Sequence, residues 1–115
     1  MKFFLAILLT TLPIIVNAGT ATNVLNSKVV KLSFPKTLGN MVLIKLERLQ
    51  EDKIDCHING TWNYSLPIQS DMDKAMVSAL IAAYISGSNV NIYGSGSCDE
   101  FPSIESAATV RLDNK

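Results

Sequence analysis

His57 is the chain's single histidine, and it follows Cys56 directly. A Cys–His pair is the arrangement that turns a thiol into a nucleophilic thiolate. Adjacent side chains on a strand point to opposite faces, however, and Cys98 is the one other cysteine. Two cysteines in an exported chain imply a bridge, and a bridged sulfur is no nucleophile. A metal site or redox pair is the competing reading, and it has only His57 as a companion ligand. His57 itself is expected as an exposed polar strand residue. Gly94-Ser95-Gly96-Ser97 is glycine-rich enough to cradle a phosphate, but it lacks the P-loop lysine and no helix follows it. It reads as a flexible turn into Cys98. A serine hydrolase would have to recruit His57 as its base, and nothing favours that. Trp62, Tyr64, Tyr84 and Tyr93 could stack on a sugar ring, against core packing as the rival role for Trp62. Asn63 and Ser65, on the other face of an alternating strand, could bond a ligand or water. Asn59-Gly60-Thr61 and Asn63-Tyr64-Ser65 also fit the glycosylation sequon. No catalytic constellation, cofactor site or metal site emerges, and the expectation is a protein that is not an enzyme.

The elements that must position these residues are mostly strands. Val30, Leu32 and Phe34 alternate with Val29, Lys31 and Ser33, the period of a half-buried strand. Pro35 stops it. Met41 to Leu49 forms the next strand, with Val42, Ile44 and Leu46 on one face and Met41, Leu43 and Lys45 on the other, so both faces of its first half are expected to be covered. Ile54 to Leu66 reads as strand, turn, strand, with Asn59-Gly60 favouring a tight hairpin, or as one strand broken by a bulge. A helix then runs over 71–86. Ser70 is its N-cap, Asp71 and Asp73 lie in the first turn, and Gly87 is the stop. Met72, Met76, Ala79, Leu80 and Ala83 recur at helical spacing, while Val77, Ile81, Tyr84 and Ile85 fill the other side. A helix apolar all round is normally buried, so loops or another subunit must cover its second face. Strands over 89–93 and 103–112 complete the chain.

One charge, Lys2, precedes an apolar run to Val16, and Val16-Asn17-Ala18 presents a cleavage site. That order is an export signal over 1–18. A membrane anchor is the rival, but Thr10, Thr11 and Pro13 interrupt a run shorter than the ~20 residues needed to span a bilayer. Residues 19–27 are expected as a loose lead-in and 28–115 as one domain. Ten basic and ten acidic residues balance, and removal of Lys2 with the leader leaves one excess acid. This excludes an electrostatic nucleic-acid binder and a basic membrane-surface protein. The expected location is periplasmic or secreted, with no membrane insertion after cleavage.

Three or four strands, one helix and two strands is the order of a small OB-type barrel, β-β-β-α-β-β. An α+β sheet with one packed helix is the alternative. The stretch from Cys56 through Trp62, Ser78-Ala79-Leu80-Ile81-Ala82-Ala83, Val90-Asn91-Ile92-Tyr93 and Gly94-Ser95-Gly96-Ser97-Cys98 to Leu112 resembles a pattern in small exported bacterial proteins. Those are single OB-fold units, distantly similar to the receptor-binding B subunits of pertussis-like and subtilase-type AB5 toxins. The resemblance covers roughly half the chain and implies a ring whose helices line the centre and whose outer surface binds glycans. It places no glycan-contacting residue on this chain, and the toxin subunits differ in length and cysteine pattern. The candidate ligand or interface residues are Trp62, Tyr64, Val77, Ile81 and Tyr84, with self-association through the apolar helix 71–86 and a glycan or protein ligand as the partners. The alternative is a monomeric periplasmic structural or inhibitor protein acting on one protein partner through a surface loop over 94–103.

Overall fold

A computed structural model of the chain describes residues 20–113. The export signal expected over 1–18 lies outside the described residues. The chain forms β1 (Asn23–Ser33), β2 (Met41–Leu46), β3 (Tyr64–Pro67), α1 (Asp71–Ser86), β4 (Asn89–Gly94) and β5 (Ala107–Arg111), with one 3-10 turn at Lys36–Leu38. It is mainly β with one helix. The strands make a single sheet in the order β3-β2-β1-β4-β5, and every neighbouring pair is antiparallel. Among the described residues no helix is long and apolar enough to cross a membrane.

β1 holds the sheet together because it is shared. Its first half pairs with β4, from Asn23 opposite Tyr93 to Lys28 opposite Asn89. Its second half pairs with β2, from Val29 opposite Leu46 to Ser33 opposite Leu43. The strand begins at Asn23, inside the segment expected to be a loose lead-in. A bulge between Val24 and Ser27 hides it from a period-two reading. There Asn26 takes a positive φ of 52°, a conformation asparagine tolerates better than most side chains. Its N–H is held by Asn91 Oδ1 at 2.8 Å. A second register shift between Val29 and Lys31 moves side chains to the opposite face. Val29 is therefore buried, while Val30 and Phe34, expected on the core face, are exposed.

The core lies between the sheet and α1. Val42, Ile44, Leu46, Leu66, Val90 and Ile92 meet Met76, Leu80 and Ala83 of the helix. Across β2, Met41 and Leu43 pack with Ile104 against half-buried Trp62 and Phe101. Both faces of β2 are thus covered, as its apolar run requires. The helix bounds agree with its end signals. The Ser70 hydroxyl accepts from the Asp73 N–H at 3.1 Å, and Asp73 Oδ2 accepts from the Ser70 N–H at 3.1 Å. Gly87 ends the helix in the left-handed region, φ 68°, with its N–H on the Ala83 carbonyl. Ser70→Ala removes the reciprocal cap and is expected to cost about 1 kcal/mol in a thermal melt.

The hairpin expected across Asn59-Gly60 does not form. Residues 54–63 are irregular, and β3 starts only at Tyr64. Asn59 Oδ1 accepts from the N–H groups of Thr61 and Trp62, at 2.8 and 2.9 Å. That local turn competes with a strand ladder. Cys56 and Cys98 are joined by a disulfide, their Cα atoms 6.1 Å apart. The two edges of the sheet meet at one point. Ser65 forms a parallel bridge with Ser106, and its N–H donates to the Glu105 carbonyl at 3.0 Å.

Candidate functional site

Glu105 sits two residues ahead of β5 and is fully buried. Its Oε2 accepts from the Thr22 and Gly96 N–H groups, at 3.2 and 2.9 Å, and its Oε1 accepts from the Thr22 hydroxyl at 2.6 Å. With the Thr22 proton spent on the carboxylate, the Tyr64 O–H must donate to Thr22 Oγ1 at 2.9 Å. Gln50 Nε2 donates to the same oxygen at 3.2 Å. Every neighbour of Glu105 is a donor, the set a carboxylate needs. Burial pushes the Tyr64 phenol up to about 12, with a smaller push from the Glu105 charge and a partial offset from Thr22. Tyr64 therefore keeps its proton and stays a donor. Gly94 passes so close that a Cβ there would run into the Glu105 carboxylate. The knot ties the start of β1, the 94–97 turn and the approach to β5 into one unit. The Glu105 carboxylate and the Tyr64 phenol at its centre are fully buried.

Sequence reasoning missed Glu105, which alternation places on the outer face of the last strand. The signal that could have found it is Gly94-Ser95-Gly96, where missing side chains allow the backbone to approach a buried group. Tyr64, a candidate ligand residue, belongs to this knot and offers no surface. Asn63 and Ser65, expected to face ligand or water, are also buried. Asn63 Oδ1 accepts from the Leu46 N–H at 2.8 Å, and its Nδ2 donates to the Arg48 carbonyl at 3.1 Å. Two-sided coverage of β2 and β3 leaves no outer face for them to occupy.

His57 is likewise not the exposed strand residue expected: it is only 4% exposed. Its Nδ1 accepts from the Glu105 N–H at 3.2 Å, and its Nε2 lies 3.0 Å from the Trp62 carbonyl. A backbone N–H can only donate and a carbonyl can only accept. The ring is therefore the neutral tautomer with its proton on Nε2. Desolvation by burial, then the nearby Lys53 charge, hold its pKa below the usual 6.5. Among the described residues no group of three or more His, Cys, Asp or Glu could hold a metal.

The surface feature with the clearest chemistry is an apolar groove of about 480 Å³ between the second half of β1 and the last two turns of α1. Val30 and Phe34 line one wall, Ile81, Tyr84 and Ile85 the other, and Trp62 is part of the lining. Phe34 is 55%, Tyr84 52% and Ile85 77% exposed, so this is apolar surface facing water, not core. Of the candidate residues, Trp62, Ile81 and Tyr84 come together here. Val77 instead packs half-buried against the main core. Tyr93 lies away from the groove, under the Arg111 guanidinium at 5.6 Å. A second, polar depression of about 590 Å³ lies between residues 20–25 and 48–52. Compared with known proteins, the chain matches no family model, no curated protein and no solved structure, and the case for its function rests on its own residues.

Proposed function

We propose that this chain is an exported, non-enzymatic binding module of the OB type that assembles with copies of itself through the apolar groove. The observation that carries the reading is the contiguous exposed apolar surface of Val30, Phe34, Ile81, Tyr84 and Ile85, with half-buried Trp62 in the same groove. Patches of that kind on a soluble domain mark interaction sites. Three features support the OB part of the reading. β1 is shared between β2 and β4, the helix lies between β3 and β4, and the outer strands approach each other through the parallel Ser65–Ser106 bridge. The disulfide supports export, because such bonds persist in oxidising compartments. A second copy is the occupant best suited to the groove. Apart from Lys31 the groove lining is apolar, and the chain is close to neutral, so copies meet without repulsion between net charges. In this reading the helices face one another and the outer surface remains for a glycan, as the toxin-B resemblance implies.

Sedimentation of residues 19–115 at micromolar concentration tests the proposal. The expected result is an oligomer that Ile85→Lys converts to a folded monomer, with the melting temperature lowered only by the share that assembly contributes at the protein concentration used. A monomeric wild type would overturn self-association. It would favour the monomeric inhibitor or structural protein, to be sought by pull-down with the 94–103 loop intact.

A further inference from the structure

We propose that His57 is an acid-operated latch, and that charging its ring releases the 57–62 crown and moves Trp62 out of the wall of the apolar groove. The geometry leaves the ring no way to accept a second proton in place. Nδ1 is the only site left for it, and that nitrogen already faces the Glu105 N–H. A proton there would set donor against donor and leave the Glu105 amide without an acceptor in a buried position.

The crown is built to move as a unit between fixed ends. At one end the disulfide pins Cys56 to Cys98. At the other, the Asn63 N–H donates to the Ile44 carbonyl at 2.8 Å and the Asn63 side chain is bound to β2 and its exit. Between them, the Asn59 side chain gathers the N–H groups of Thr61 and Trp62 into one turn. The crown is fastened to the rest of the fold by the His57 ring, by the Asn59 N–H on the Ser103 carbonyl at 3.1 Å, and by Trp62 packing. Ile58 at its tip is exposed. Loss of the His57 bond removes a main tether, while the covalent tie at Cys56 keeps the opening local and reversible.

The charged groups acting on the ring are Lys53, from the same segment, and Glu105, from the run into β5. Lys53 opposes protonation together with burial, whereas Glu105 and the backbone groups of Trp62 and Asn59 favour it more weakly. The sign follows from linkage. The folded pKa lies below 6.5, so the unfolded chain binds the proton more readily. The closed state is fully favoured above about pH 6.5 and loses ground as pH falls toward the folded value. Effects of the latch on assembly rest on the self-association reading above; movement of Trp62 does not.

The chain has one tryptophan and one histidine, so the fluorescent reporter and the imidazole are each unique. Trp62 emission is expected to change in one step with a midpoint below 6.5, and to stay flat over that range in His57→Gln. In the wild type, nuclear magnetic resonance should show the His57 ring, the Glu105 amide and the Trp62 indole moving with a single midpoint. This measurement decides the matter even if the variant does not fold. A ring that stays neutral down to pH 4 in the folded protein would overturn the latch. So would a ring that titrates while the Glu105 amide and Trp62 stay still, or an emission change that persists in a folded His57→Gln. Sedimentation at both plateaus separates the two proposals. A monomer at both pH values with a moving Trp62 sinks self-association and keeps the latch. An oligomer with a static Trp62 does the reverse.

Discussion

Replacing both bridged cysteines by serine is expected to lower the melting temperature of residues 19–115 by roughly 15–30 °C. The bridge joins residues 42 apart. On the chain-entropy account, closing a loop of that length in the unfolded chain contributes about 4 kcal/mol. Domains of this size have about 5–15 kcal/mol in all, so the bridge is a large share. It also has a specific task. The loop it closes contains β3, α1 and β4, and Cys56 lies in the irregular 54–63 segment, whose backbone joins no ladder. The sheet–helix core of Val42, Ile44, Leu80 and Ile92 contains neither cysteine, so the variant should still fold in the cold. Calorimetry or circular dichroism of wild type and Cys56→Ser/Cys98→Ser gives the shift. A drop of less than about 5 °C would show that contacts other than the bridge hold the segment in place.

Glu105→Ala is expected to cost on the order of 4 kcal/mol in urea denaturation, because two buried donors and one half-buried donor lose their acceptor at once. These are the Thr22 N–H, the Thr22 hydroxyl and the Gly96 N–H. Leaving one buried group unpaired costs about 1–3 kcal/mol, and entering water offsets part of the sum. Glu105→Gln keeps the shape but puts an NH2 group among donors. Thr22 Oγ1 already receives Tyr64 and Gln50, so the amide meets a lone pair there only by reversing the Thr22–Tyr64 bond, and a loss of about 1–2 kcal/mol follows. Gly94→Ala approaches the same knot from the other side. Its methyl would strike a carboxylate that hydrogen bonds hold in place, and a loss of about 1–3 kcal/mol is expected. If Glu105→Gln unfolds at the wild-type urea concentration, the site does not require a carboxylate.

The groove, the latch and the knot converge on one short region. Glu105 holds Thr22 and Gly96 with its side chain and His57 with its backbone N–H. His57 in turn sets the place of Trp62, which lines the groove. Damage to the knot should therefore reach the apolar surface through the crown.

What could be read from residue order was local. The helix over 71–86 was legible because its cap, its acidic first turn and its glycine stop all lie within one turn of its ends. The pairing of Cys56 with Cys98 needed only a count of two. The double-sided apolar run of β2 announced cover on both faces, and the order of strands and helix announced a mainly β domain. Tertiary structure decided the rest. The bulges in β1 flip side-chain parity, and they arise from pairing one strand with both β2 and β4. They put Val30 and Phe34 in water and bury Val24 and Ser27. Glu105 meets Thr22 across 83 positions and His57 across 48. Periodicity reports which face a residue occupies only while the ladder stays regular. It says nothing about which distant backbone group a polar side chain will find. The candidate site depends on those distant partners, and they are set when the sheet edges come together.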